Sequence, residues 1–300
     1  MRRRPQNFAY DIIVAVGDND ARSWEFLERG PGRPFLQKGP PRELFQKLAG
    51  FETISIKESS ISMYLKSLAI ESPRFPTRDL FPFNIRVLQN TERIDFSSPI
   101  AFFVGENGSG KSALLDAIGR KCGFLPWGGS KVHRAHENPY ETQLANYVRP
   151  TFDPKHKYGF HFRSETFFNF ASSLDDILLD DPARDKYYGG GSLNVLSHGE
   201  SFLSFFKGYS FQLDGLYLLD EPESALSPPN QVKFVRILLD SLSNGNKQYI
   251  IATHSPVILA CPEAQILGFD TPGIQNIDYN ETSAYKFYMQ FLNDPEQFLK

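Results

Sequence analysis

Gly105-Glu106-Asn107-Gly108-Ser109-Gly110-Lys111-Ser112 is the stretch from which the rest of the chain can be read. It fits the pattern G-x-x-x-x-G-K-[ST] at every fixed position. The apolar run Ile100-Ala101-Phe102-Phe103-Val104 precedes it, and helix-forming residues follow from Ala113 to Cys122. Strand, glycine turn and helix are the context a phosphate-binding loop requires. Glycines let successive backbone N–H groups turn inward around phosphate oxygens. The following helix adds its positive N-terminal dipole end. Lys111 is placed to reach β- and γ-phosphates, and Ser112 to offer its hydroxyl to Mg²⁺. All eight residues, Gly105 to Ser112, are candidate nucleotide-binding residues. A glycine-rich turn that merely starts a helix is the plain alternative.

Downstream, Leu216-Tyr217-Leu218-Leu219 runs into Asp220-Glu221. Four apolar residues without polar alternation suit a strand buried on both faces of a parallel sheet. A carboxylate at the C-terminal end of such a strand faces the ligand crevice. Asp220 is therefore a candidate Mg²⁺ ligand, and Glu221 is placed to polarise an attacking water. A second buried strand, Tyr249-Ile250-Ile251-Ala252, ends in Thr253-His254-Ser255-Pro256.

Three further segments carry a family resemblance. Leu196-Ser197-His198-Gly199-Glu200-Ser201 resembles the ABC signature motif, commonly LSGGQ, with His198 and Glu200 departing from it. Pro222-Glu223-Ser224-Ala225-Leu226-Ser227-Pro228 resembles the D-loop, and the segment around His254 resembles the switch-histidine motif. Together with GENGSGKS and the terminal FLNDPEQFL, they make residues 62–300 resemble a soluble ABC-type ATPase of the bacterial predicted-ATPase group within the AAA_21 family. RecF, SMC and OLD ATPases are its wider relatives.

The resemblance implies an α/β P-loop fold: a mostly parallel sheet flanked by helices, an antiparallel β subdomain and a short helical lobe. It implies ATP and Mg²⁺ as cofactors, with catalytic roles for Lys111, Glu221 and His254. Ser112 and Asp220 would hold the metal. Ser197 and the backbone N–H of Gly199 would reach the γ-phosphate of a second subunit, so that ATP bridges a homodimer. The usual Q-loop glutamine is missing. Glu165 stands in its place and is a candidate metal ligand, or it simply pairs with Arg163 or caps a helix over Thr166 to Phe170. Gln143 is a weaker substitute. Ser197 also suits a plain N-cap of an apolar helix from Phe202 to Phe211.

Composition sets bounds. A net charge of −3 gives no global attraction to nucleic acid. Cys122 and Cys261 lie far apart and read as reduced thiols, not a disulfide frame. No apolar run is long enough to span a bilayer, and Met1-Arg2-Arg3-Arg4 lacks a following apolar stretch, so a cytoplasmic location is expected. The 27 phenylalanines are too many for a few functional contacts and belong mostly to the core.

Residues 1–61 form an extension without matching motifs, containing a strand at Tyr10 to Val16 and a short helix at Arg42 to Leu48. Tyr64 to Ile70 and Phe83 to Leu88 read as strands, with Tyr64 or Phe83 as possible adenine platforms. Residues 122–195 form the lobe. Its basic stretch Lys131 to His136 reads as a solvated loop, and His133, His136, His156 and His161 lack a zinc spacing. No heptads support a coiled-coil arm. Glu281 to Leu299 reads as helical, broken at Pro295 with one further turn from Pro295 to Leu299, and Tyr285, Tyr288, Met289 and Leu292 lie on a face that packs on the core or on a partner.

Two functions fit. One is a nucleotide switch that restrains a protein effector, as in bacterial anti-phage defence. The other is a DNA-associated clamp or motor. The short lobe and acidic balance favour the first, and a transporter cassette ranks below both.

Overall fold

The computed structural model describes residues 63–124, 138–153, 158–164, 198–208, 211, 213–243 and 246–299, and three strands nearer the N-terminus. Those strands, β1 (Ile13–Val14), β2 (Trp24–Glu28) and β3 (Phe35–Gly39), form an antiparallel sheet. The strand expected at Tyr10 to Val16 is thus present in part. The expected helix at Arg42 to Leu48 lies outside the described residues.

The antiparallel subdomain comprises β4 (Leu65–Ile70), β5 (Arg93–Asp95) and β7 (Val148–Phe152), in the order β5-β4-β7. The larger sheet adds β6 (Ile100–Val104), β8 (Gly159–Arg163), β9 (Gly215–Asp220), β10 (Lys247–Ala252), β11 (Gln265–Gly268) and β12 (Gln275–Asn276). Its order is β12-β11-β6-β10-β9-β8, parallel throughout except for β12 at the edge. The helices are α1 (Arg86–Gln89), α2 (Lys111–Cys122), α3 (His198–Lys207), α4 (Pro228–Ser243), α5 (Pro256–Leu259), α6 (Ser283–Asn293) and α7 (Glu296–Leu299).

The central strands alternate strictly between two cores. Ile100, Phe102, Tyr217, Leu219, Tyr249 and Ile251 face the core that holds α3 and α4. Ala101, Phe103, Leu216, Leu218, Ile250 and Ala252 face the core that holds α2 and the antiparallel sheet. Both faces of β6, β9 and β10 are covered, so their sequences are apolar runs instead of alternating ones. Gln248 joins the two sheets: its side chain accepts from the Leu65 N–H at 2.8 Å and donates to the Leu65 carbonyl at 2.9 Å.

Much of the phenylalanine surplus sits in the first core. Phe202, Phe205 and Phe206, at helical spacing on α3, meet Phe160 and Phe162 of β8 and Phe234 of α4. The second core explains Gly119 in the middle of α2, where glycine costs about 1 kcal/mol relative to alanine. A Cβ there would lie 2.8 Å from Nδ1 of the fully buried His161.

Three expectations change. Phe83 to Leu88 is not a strand but a turn leading into α1. Phe83, Val87 and Leu88 are buried together, and such a short apolar run fits both periods. The helix after the signature segment is α3, beginning at His198 and ending at Lys207, not running from Phe202 to Phe211. The C-terminal helix breaks before Pro295 as that residue predicts, with α7 as the further turn, but α6 buries no residue: Tyr288 and Leu292 are about half exposed, so the core-packing alternative does not hold for them. Only Tyr285 on that face packs inward, against Tyr279.

Candidate active site

Parallel order brings the C-terminal ends of β6, β9 and β10 to one edge of the sheet. The loop from Gly105 to Gly110 leaves β6 there and enters α2 at Lys111. Gly110 has φ +104°, and a Cβ would lie 2.9 Å from the Ile85 side chain. Gly108 turns the loop at φ +78°. Positive φ at both positions explains glycine there. Lys111 folds back over the loop. Its Nζ donates to the carbonyls of Gly105 at 2.7 Å and Glu106 at 2.8 Å. Burial pulls its pKa down, opposed by the carboxylates of Glu221, Asp270, Asp220 and Glu106.

Ser112 donates its hydroxyl to Asp220 Oδ1 at 2.8 Å, across 108 residues of sequence. The two hard oxygens so paired suit Mg²⁺, which takes one or two protein ligands and fills its shell with phosphate oxygens and water. Arg163, the register partner of Asp220 on β8, places its Nε 3.5 Å from Asp220 Oδ2.

Glu221 follows Asp220 in a left-handed conformation, φ 49°. For a residue with a Cβ this costs on the order of 1–3 kcal/mol and persists only where neighbours enforce it. Here its N–H donates to the Ala252 carbonyl at 2.9 Å, and its carbonyl accepts from Ser164 Oγ at 2.5 Å. The carboxylate is directed 3.8 Å from His254 Nε2. Burial, and then Lys111, hold the His254 pKa down despite Glu221, which favours a neutral ring. Behind it, Ser255 caps α5 by accepting from the N–H groups of Val257 and Ile258, both at 3.1 Å.

Two family models match the sequence. One, an AAA domain designated AAA_23, matches residues 83–156, which include Gly105 to Ser112. The other, described as "AAA domain, putative AbiEii toxin, Type IV TA system" and designated AAA_21, matches residues 129–260, which include Asp220, Glu221 and His254. Over these residues the chain resembles AAA domains. No curated protein matches the chain in sequence. Among solved structures, similarity extends to the SMC head domain from Thermotoga maritima, at 17% identity and TM-score 0.38, over 72% of this chain and 100% of that one. It also extends to cbiO1 from Clostridium perfringens, part of the ABC transporter complex cbiONQ, at 15% identity and TM-score 0.40, over 78% and 98%.

Two residues at this site escaped the sequence reading. Asp270, just beyond β11, accepts the Glu106 N–H at 2.7 Å. It carries the same signal as Asp220, a carboxylate after an apolar strand. Glu223 is another. Its Oε1 accepts the His254 N–H at 2.6 Å. A cavity of about 460 Å³ adjoins Gly108 and Ser109, lined also by Phe81, Asn84, Arg86 and Asp270. Tyr64 and Phe83, the expected adenine platforms, are both buried in the second core and cannot present a ring face there. Phe81 is the exposed aromatic on that cavity.

Glu165 and Ser197 lie outside the described residues, so neither the metal-ligand nor the signature expectation is placed by geometry. Gly199, in the first turn of α3, packs on its own chain: a Cβ would lie 2.8 Å from Asn230 Nδ2 and 3.3 Å from the Ala225 carbonyl. Gln143 donates to the Pro139 carbonyl at 2.8 Å, a local contact within its turn. Cys122 and Cys261 are free thiols. Among the described residues, no helix is long and apolar enough to cross a membrane.

Proposed function

We propose that the chain binds ATP with Mg²⁺ at the loop from Gly105 to Ser112 and hydrolyses it as one half of an ATP-bridged pair. The observation that carries this reading is the 2.8 Å contact of Ser112 with Asp220, with Glu221 and His254 at the same sheet edge. Backbone N–H groups of residues 105–112 cradle the phosphates, and Lys111 exchanges loop carbonyls for phosphate oxygens. Ser112 and Asp220 hold the metal, with Glu165 as a further ligand, and the metal supplies neutralisation of phosphate charge. Glu221 orients water for in-line attack, and His254 contacts the γ-phosphate. The second subunit contributes Ser197 and the N–H of Gly199. Phe81 offers the ring on which the base stacks. Loss of the γ-phosphate loosens the pair, which turns nucleotide state into conformation. The output is control of a protein effector. The toxin–antitoxin wording attached to the matching AAA_21 model supports that reading over a DNA clamp.

The test is the solution mass of the Glu221→Gln chain with and without Mg-ATP. A doubling of mass only with Mg-ATP is expected. An unchanged monomer that still binds ATP would overturn the paired mechanism.

A further inference from the structure

We propose that Arg163 is a tethered counter-cation of the metal site, holding the Asp220 carboxylate before metal binds and passing to Asp116 when it does. This rests on the nucleotide-site reading above. Four carboxylate contacts frame it. Asp220 divides its oxygens, Oδ1 accepting from Ser112 at 2.8 Å and Oδ2 lying 3.5 Å from Arg163 Nε. Asp116, on α2, divides its own: Oδ2 is 2.5 Å from Arg120 Nε, and Oδ1 lies 3.8 Å from Arg163 Nη2. One guanidinium therefore stands between two carboxylates and reaches neither at the shorter separations of a bidentate pair.

The electrostatics give this placement a purpose. The Asp220 and Asp116 side chains are only 10% and 13% exposed, so an unpaired charge at either place is costly. Before metal binds, Arg163 offsets Asp220. A divalent cation beside Asp220 repels the guanidinium at close range. Asp116 then provides a second carboxylate within reach. Strand register fixes the tether, since Arg163 and Asp220 are direct partners on β8 and β9. The arrangement makes metal compete with a resident cation, which disfavours metal entering without the added negative charge of a triphosphate.

The test titrates Mn²⁺ into the full chain holding a non-hydrolysable ATP analogue, followed by electron paramagnetic resonance. Melting curves verify that each variant is folded. Arg163→Gln removes the competitor and should lower the half-saturating Mn²⁺ by about tenfold, the scale of one partly buried ion pair. Asp116→Asn removes the second seat and should raise it. Arg163→Lys keeps the charge and should stay near the wild type. Movement of the Gln and Asn variants in the same direction, or no change in either, would overturn the proposal and leave Arg163 a structural strap. Failure of the wild-type chain to bind the analogue at all would instead overturn the nucleotide reading, and this proposal with it.

Discussion

Glu223 accepts the backbone N–H of His254 at 2.6 Å and thereby ties the loop after β9 to the loop after β10. Its Oε2 atom is buried without a hydrogen-bond partner. Burial raises its pKa, against the hydrogen bond from His254. Glu221 and His254 thus owe their relative placement to a third residue only two positions from the first.

Replacing Glu223 separates that tie from the chemistry. Glu223→Ala leaves the His254 N–H unsatisfied and should cost about 1–3 kcal/mol of stability. Glu223→Gln keeps an acceptor and should cost less. In steady-state assays Glu223→Ala should reduce ATP turnover much more than ATP binding. Full turnover in the alanine variant would show that His254 is held by other means.

Lys111→Ala removes an ammonium that is 4% exposed and lies in the mouth of the phosphate loop. ATP binding, followed by calorimetry, should be lost. Micromolar affinity in a folded Lys111→Ala chain would refute the assignment of the loop as a phosphate site.

His161 predicts an acid limb in stability. Burial, chiefly, pushes its pKa down from 6.5 to about 4. Between those values the unfolded chain binds the extra proton, so stability is complete above pH 6.5 and falls as pH drops toward 4. The loss attributable to this one ring is about 3 kcal/mol and levels off at lower pH. Denaturant titrations across this range should show a steeper decline in the wild type than in His161→Gln. Parallel curves would mean that the ring is not the titrating group.

The sequence yielded the parts of the site that obey short-range rules. The turn of residues 105–112 between a strand and a helix could be read because glycine, lysine and serine have separate physical duties at fixed spacing. Asp220, Glu221 and His254 could be read because each ends a run apolar enough to be buried on both faces. Asp270 escaped notice, although it too follows an apolar run, because its partner, the Glu106 N–H, is 164 residues away. Gln248, one residue before the apolar run that starts at Tyr249, carries no local signal of its own. Its use as a clasp between sheets depends on where Leu65 lies. Phe83 was misassigned because six residues of mixed apolar pattern do not distinguish a strand from a turn and a helical turn. The face of α6 stayed undecided between core and partner for a related reason: helical periodicity identifies a stripe but not what covers it.

Lys111 gives the phosphate loop one further property. Its ammonium bridges two carbonyls of the loop itself, those of Gly105 and Glu106, so the lysine braces the turn from within. On the proposed reading a triphosphate would draw that nitrogen away from both, and the bracing given up would count against the affinity of the site.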